Sequence, residues 1–266
     1  MRLGFVGTGS MGGMLVRAFV RSGLPDVEVA AYNRTAWKLD RIIVENPNVR
    51  KMDSASSLAK FSDFIFLCVK PADVLTVLKE IRTSMSPDKF LISINSAWSL
   101  SELESEVSSK VIKIIPSITQ EALSGVMLTM YGSRATPTDR QLFEATCRGI
   151  SFPVVIKEND VRVCSDLTSC GPAFLAFVLQ SFASAAVRQG GIPPQQADQL
   201  VKYMIYGLGK LFVKEGYEFE EIISRVSLPG GVTEAGLKVL KPAMEGVFDD
   251  VLTTTKHFQG QHTKDK

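Results

Sequence analysis

Residues 3–12 read LGFVGTGSMG, and this stretch decides the fold. A short strand, LGFV, runs into a full G-x-G-x-x-G at Gly7, Gly9 and Gly12, and a helical pattern follows over Met11–Arg21. Each glycine has its own task in such a unit. Gly7 permits the tight turn, Gly9 lets the backbone approach a pyrophosphate, and Gly12 allows the helix to pack closely on the strand. The helix N-terminus then presents unpaired N–H groups and a positive dipole end to the phosphates. The loop of Gly7, Thr8, Gly9, Ser10, Met11 and Gly12 is therefore expected to bind a dinucleotide. The competing reading is a plain βα turn.

Working outward, the first half of the chain alternates short β-branched runs with helical stretches, the βαβ pattern of a parallel sheet. Strands are expected at Leu3–Val6, Val27–Tyr32, Phe64–Val69, Phe90–Ile94, Val111–Ile115 and Val126–Tyr131, and further helices at Thr35–Glu45, Ala72–Ser84 and Thr138–Arg148. Several strands are apolar at consecutive positions, as strands covered on both faces should be. The expected class is α/β. A doubly wound, mainly parallel Rossmann domain would occupy 1–158 and an all-α domain 159–266.

An NAD enzyme carries Asp or Glu at the end of its second strand, for the ribose 2′-hydroxyl. Here that strand ends in Asn33, Arg34 and Thr35, with Lys38 a turn later. Guanidinium, hydroxyl and amide donors without a carboxylate suit a 2′-phosphate, so NADPH is expected, with NADH weaker. The bland alternative is a solvated strand end. The Phe64–Val69 strand runs into Cys68, Val69, Lys70 and Pro71, and ligands of open parallel sheets sit beyond the carboxyl ends of strands. This turn should face the cofactor too.

Composition narrows the class. The 266 residues are 45% hydrophobic and 22% charged, ordinary for a globular protein. Residues 1–158 carry 19 basic and 16 acidic side chains and the rest 11 and 12, so charge points to neither nucleic acid nor an anionic membrane. No apolar run is expected to reach the roughly 18 to 20 residues that span a bilayer, and the N-terminus lacks a signal-peptide h-region. Cys68, Cys147, Cys164 and Cys170 form no CxxC pair, and the two histidines, His257 and His262, fall in a polar tail expected to fray from Gln259. No metal site is expected, and the chain reads as cytoplasmic.

Beyond residue 158 the strands stop. Pro172–Arg188 is apolar nearly all round, with Pro172 at a first-turn position and Gly190–Gly191 closing it. A helix apolar on every side must be buried on every side, which suggests a partner subunit. A second wide stripe runs from Leu200 to Phe212, and shorter helices, Glu218–Val226 and Glu234–Leu240, flank the loop LPGG. Two segments stand out there, TSCGPAF at 168–174 and SLPGGVTEAG at 227–236. Successive N–H groups of Gly231, Val232 and Thr233 could form a nest for an anion, and Thr233 adds a hydroxyl. An ordinary turn and N-cap is the plainer reading of both segments.

GTGSMG at 7, NRT at 33, CVKP at 68, GPAF at 171 and PGGVT at 229, in this order and spacing, resemble the pyrroline-5-carboxylate reductases over nearly the whole chain. The resemblance implies NADPH-dependent reduction of the cyclic imine 1-pyrroline-5-carboxylate to L-proline by direct hydride transfer. It also implies a homodimer, or a higher oligomer, through the C-terminal helices. By resemblance Gly230, Gly231, Val232 and Thr233 would hold the substrate, with Thr233 as the catalytic contact to its nitrogen. The backbone of Ser117, beside the substrate, and the stretch Ser93–Ala97, with Asn95, would line the nicotinamide pocket.

The chain departs from the family pattern at three places. MPN-T-P stands as IPSIT at 115–119, SGSGPAY as TSCGPAF, and SPGG-T-T as LPGGVT, where Leu228 replaces a serine expected to donate to the substrate carboxylate. Such a hydrogen bond to a charged group is worth about 1.5 to 3 kcal/mol. IPSIT, SCGPAF and GGVT also resemble a divergent late-competence branch, the ComER-type proteins of bacilli. Two alternatives stay open: an NADPH-binding paralogue without turnover, acting as a sensor or partner protein, and a hydroxyacid dehydrogenase of the 3-hydroxyisobutyrate type. The second resembles its family poorly, because Thr168–Arg188 lacks the catalytic lysine those enzymes carry.

Overall fold

The computed structural model describes residues 1–262. The chain starts as β1 (Arg2–Val6), α1 (Ser10–Arg21), β2 (Glu28–Tyr32), α2 (Ala36–Glu45), β3 (Arg50–Lys51), α3 (Ala55–Phe61), β4 (Phe64–Leu67), α4 (Val74–Ile81), β5 (Phe90–Ser93), α5 (Leu100–Glu106) and β6 (Lys110–Ile115). It continues as β7 (Val126–Tyr131), α6 (Pro137–Cys147) and β8 (Phe152–Val155). The strands form one sheet in the order β3-β2-β1-β4-β5-β6-β7-β8. Every pairing is parallel except β6–β7. That exception has a cause: parallel strands need a crossover of a dozen or more residues, and only Pro116–Gly125 joins these two.

Alternation divides the core into the two faces of the sheet. Leu3, Phe5, Phe64, Phe66, Ile92 and Ile112 pack with Leu15, Phe19 and Phe143 from α1 and α6. Val6, Ile65, Leu67, Leu91 and Val111 pack with Leu58 and Leu78 from α3 and α4. Phe5 stacks on Phe66 with ring centroids 4.5 Å apart, which ties the two central strands together. Removing a ring of this kind costs about 3 to 5 kcal/mol.

The expected strands and helices of this half are all present. Two edge strands and two helices were not expected. β3 is the dipeptide Arg50–Lys51, both residues exposed, so it shows no apolar pattern. β8 contains Pro153, which is tolerated because the strand is an edge. α3 and α5 have seven residues each and start at capping boxes on Ser54 and Ser99.

After β8 the helix runs without a break over Glu158–Gly190, through α7 (Val161–Ser165), a π-turn (Asp166–Cys170) and α8 (Gly171–Gly190). This corrects two expectations. Pro172 does not open a helix, and Thr168–Cys170 does not cap one. The π-turn ends just before Pro172, which has no N–H to donate, and it brings the Asp166 carbonyl within 3.0 Å of where a Cβ on residue 171 would sit, so Gly171 fits there. The helix is also long and apolar enough to cross a membrane by length and composition, with a mean hydropathy of 1.6 over its best window. The expectation that no apolar run reaches that length is therefore withdrawn.

The chain divides into two compact units, one of Met1–Pro172 with the chain from Phe258, the other of Ala173–His257. The change from strands to helices comes earlier, after β8. The second unit adds α9 (Pro194–Val213), α10 (Phe219–Val226), α11 (Val232–Met244) and α12 (Val247–His262). His257 thus lies in a helix rather than a loose tail, and α12 continues past Gln259 to His262. The tail beyond it, 263–266, lies outside the described residues. Within a single chain this unit leaves Phe177, Phe182, Leu200, Tyr203 and Met204 exposed on its two long helices.

Candidate functional site

The sheet register sets the site. Val6 stands opposite Tyr32 of β2 and Leu67 of β4, and Leu67 stands opposite Ser93 of β5. The carboxyl ends of four adjacent strands therefore form one row, and the turns Gly7–Gly9, Asn33–Thr35, Cys68–Pro71 and Ile94–Ala97 leave from it side by side. β1 is also where the strand order reverses, with β2 on one flank and β4 on the other, the usual place for a ligand in such sheets.

Within the first turn each glycine has a distinct environment. Gly7 has φ +96° and donates its N–H to the Tyr32 carbonyl at 2.8 Å. A Cβ there would come within 2.5 Å of the Cys68 carbonyl oxygen. A Cβ on Gly12 would run into the Gly7 carbonyl and would approach Cys68 Cβ at 2.8 Å. Around Gly9, by contrast, a Cβ would meet nothing within 4 Å. That space lies over the start of α1, whose first turn carries no acidic residue and whose N-cap, Gly9, makes no side-chain cap bond. A dinucleotide pyrophosphate fits these features: open room, a glycine backbone and a positive helix end.

The second turn is fixed to the first. Asn33 Nδ2 donates to Thr8 Oγ1 at 2.7 Å, and Asn33 Oδ1 accepts from the Thr35 N–H at 2.9 Å. Thr8 is buried, so it shapes the loop while its neighbours face outward. A cleft of about 340 Å³ opens here, lined among others by Gly9, Asn33, Arg34, Thr35, Lys38 and Lys70. It gathers most of the residues expected to take the adenosine end. Cys68 is half-buried at its base, and burial pushes its thiol up to about 12, so it stays neutral. The cleft also holds Asp73, Thr76 and Glu80, which the sequence reading missed. Asp73 lies three residues after Lys70 in the same turn, so the motif itself pointed to it.

A second cleft, of about 210 Å³, lies farther along the row, between Met11, Ile94, Ser96, Pro116, Arg162, Ser169 and Cys170. Of the expected stretch Ser93–Ala97, Ile94 and Ser96 line this cleft, while the side chains of Asn95 and Ser117 are buried. Asn95 is buried and bends the turn by accepting from the Ala97 N–H at 2.9 Å. Ser117 is fully buried; its N–H donates to Gln120 Oε1 at 2.8 Å and its carbonyl accepts from the Gln120 N–H at 3.1 Å. The Pro116 carbonyl takes its place at the cleft and accepts from Ser169 Oγ at 3.0 Å.

Two ion pairs fix the first turns of the long helix, and Arg162 of one of them lines this cleft. Arg162 donates to Asp166 at 2.5 and 3.2 Å and to Cys170 Sγ at 3.3 Å. Buried Lys113 donates to Glu158 Oε1 at 2.6 Å, and the same oxygen accepts from the Leu100 N–H at 3.0 Å. Glu158 thereby ties the start of the long helix to β6 and α5. Among the described residues no cluster of His, Cys, Asp and Glu could hold a metal ion.

In the second unit, Gly231 is the N-cap of α11, with Val232, Thr233 and Glu234 as its first turn. The nest differs from expectation in one respect. The Gly231 N–H donates to the Leu228 carbonyl at 2.9 Å, and the Gly230 N–H donates to Glu234 Oε2 at 3.0 Å. The helix itself offers no partner for the N–H groups of Val232 and Thr233 at its first two positions. Leu228 acts in the loop through its carbonyl, and its side chain is exposed.

Two family models match separate parts of the chain. Residues 2–97 match the family model described as NADP oxidoreductase coenzyme F420-dependent, and residues 158–260 match that of pyrroline-5-carboxylate reductase dimerisation. The chain is 34% identical to ComE operon protein 4 of Bacillus subtilis, across 99% of this chain and 95% of that protein. It is 28% identical to Pyrroline-5-carboxylate reductase 3 of the same organism, across 96% and 94%. Its fold is similar to that of Plasmodium falciparum pyrroline carboxylate reductase with NADP bound, with a TM-score of 0.80 at 22% identity over 100% and 97% of the chains. The chain belongs to the pyrroline-5-carboxylate reductase family, in the branch that includes ComE operon protein 4.

Proposed function

We propose that the protein binds NADPH at the carboxyl ends of β1, β2 and β4 and reduces 1-pyrroline-5-carboxylate to L-proline as a homodimer. The observation that carries the reading is the row of turns on which the open space at Gly9 and the cationic cleft at Arg34 and Lys38 fall side by side. Gly7, Gly9 and Gly12 would admit the pyrophosphate, while Arg34, Thr35 and Lys38 would take the 2′-phosphate. When bound, NADPH supplies the hydride that converts the C=N bond to CH–NH. The chain's own task is to hold and orient the ring. The Val232 and Thr233 N–H groups would hold the substrate carboxylate. The Thr233 hydroxyl would pass a proton to the ring nitrogen, directly or through water. The match to the dimerisation model and the exposed apolar faces of α8 and α9 support a homodimer.

One observation favours a second reading, a dinucleotide-binding protein without turnover. Two of the N–H groups around the nest are already engaged, one of them by the Glu234 carboxylate. Oxidation of NADPH, followed at 340 nm with and without 1-pyrroline-5-carboxylate and with proline identified as product, separates the two. Imine-dependent turnover supports the reductase; bound NADPH without turnover overturns it in favour of the second reading.

A further inference from the structure

Arg34 lies at the mouth of the first cleft with its side chain 79% exposed, yet it is already paired. Its Nη1 donates to Asp73 Oδ1 at 3.2 Å, between the turn after β2 and the turn after β4. Asp73 precedes α4 at the end of a short 3-10 turn, on a backbone that is already helical, where its carboxylate is not tied to a helix N–H. Its carboxylate is directed across the cleft, toward the guanidinium expected to meet the 2′-phosphate. An exposed ion pair of this kind contributes little to stability, so its place in the cleft matters more than its strength.

We infer that Asp73 is a specificity-determining residue that restrains the preference for NADPH over NADH by competing with the 2′-phosphate for Arg34. The inference rests on the cofactor reading above. A phosphate carrying about −1.5 to −2 charges near Arg34 must either displace Asp73 or lie close to it. Both cost affinity, and NADH meets neither cost, because it has no 2′-phosphate. Removing the carboxylate charge therefore acts on one cofactor and spares the other. Glu80 lines the same cleft but its Oε1 accepts the Ser56 N–H at 3.2 Å, so it is committed to another contact.

The test is direct binding of NADPH and NADH to the full chain by titration calorimetry, for the wild type, Asp73→Asn, Asp73→Glu and Arg34→Ala/Asp73→Asn. Asp73→Asn should tighten NADPH by about three- to tenfold while NADH stays within about twofold. Asp73→Glu should keep the wild-type ratio, and the gain should shrink with added salt as the charges are screened. In the Arg34→Ala background the same change should have a smaller effect on NADPH. Weaker NADPH binding by Asp73→Asn would make Asp73 a positioning residue for Arg34 and overturn the inference alone. Equal shifts for both cofactors would do the same. A wild type that binds neither dinucleotide would overturn the cofactor reading itself.

Discussion

The Asn33 amide donates to the Thr8 hydroxyl at 2.7 Å, so one hydrogen bond joins the turn after β1 to the turn after β2. The same side chain accepts the Thr35 N–H, which makes Asn33 the hinge pin of the adenosine cleft. Asn33→Asp should keep both contacts, because a hydroxyl can donate as well as accept. It would place a negative charge beside Arg34. Thermal unfolding should hardly change, while NADPH affinity falls by about tenfold and NADH affinity does not. Asn33→Leu should lose both bonds and cost roughly 1 to 3 kcal/mol in denaturant unfolding. Equal loss of both cofactors in Asn33→Asp would show that Asn33 shapes the loop without setting specificity.

Gly9 and Gly12 separate the needs of the fold from those of the ligand. A Cβ on Gly12 collides with the Gly7 carbonyl, so Gly12→Ala should lower the melting temperature as well as cofactor affinity. A Cβ on Gly9 meets no protein atom within 4 Å, and Gly9 has φ −68°, which alanine adopts freely. Gly9→Ala should therefore fold and melt like the wild type. Its NADPH affinity should drop more than about tenfold if the pyrophosphate lies against that backbone. Unchanged affinity would place the phosphates elsewhere.

These glycines show why the cofactor half was legible. Their spacing is a backbone requirement, so the local sequence states it outright. The six expected strands were legible for a related reason, since most of their residues are apolar, many of them β-branched or aromatic. β3 is two charged residues without an apolar pattern, and β8, FPVV, is an apolar run interrupted by Pro153, which argues against a strand. The continuity of the helix through Pro172 was hidden, since a proline ordinarily marks a boundary and the π-turn before it has no sequence period. Within the expected stretch Ser93–Ala97, Ile94 and Ser96 line the second cleft, while the side chains of Asn95 and Ser117 are buried. Their neighbours Pro116 and Ser96 face the cleft, and only three-dimensional packing decides which member of a turn does so. The turn motif at Lys70 placed Asp73 near the cleft, but its pairing with Arg34, 39 residues away in the chain, shows only in the fold.

Asp139 gives the fold a pH dependence of calculable sign. Burial pushes its carboxyl up, but hydrogen bonds from Lys110 Nζ at 2.6 Å and from the Thr136 hydroxyl and N–H outweigh this and hold it below the usual carboxylate range. The folded state therefore binds fewer protons than the unfolded one near that range. The resulting stability is complete above the ordinary aspartate value of about 4 and is lost as pH falls through the lower folded value. Asp139→Asn should be less stable at pH 7 by on the order of 1 to 3 kcal/mol and should lose less on acidification. Parallel curves of melting temperature against pH for the two proteins would remove Asp139 as the cause.

Thr233 and Glu234 share the first turn of α11 and are expected to act in opposite directions. If Thr233 supports the reacting nitrogen, Thr233→Ala should lower turnover by more than about tenfold, with melting temperature and NADPH affinity unchanged. Glu234 holds its carboxylate 3.0 Å from the Gly230 N–H and 3.4 Å from Lys238, at the helix end proposed to receive the substrate's own carboxylate. Two anions there repel, so Glu234→Gln should lower the KM for the imino acid while kcat changes little. The effect should be a fewfold, as expected for partly exposed charges. A raised KM in Glu234→Gln would mean that the carboxylate orders the loop for its substrate. Unchanged turnover in Thr233→Ala would remove that hydroxyl from the chemistry and leave the nest as a binding element alone.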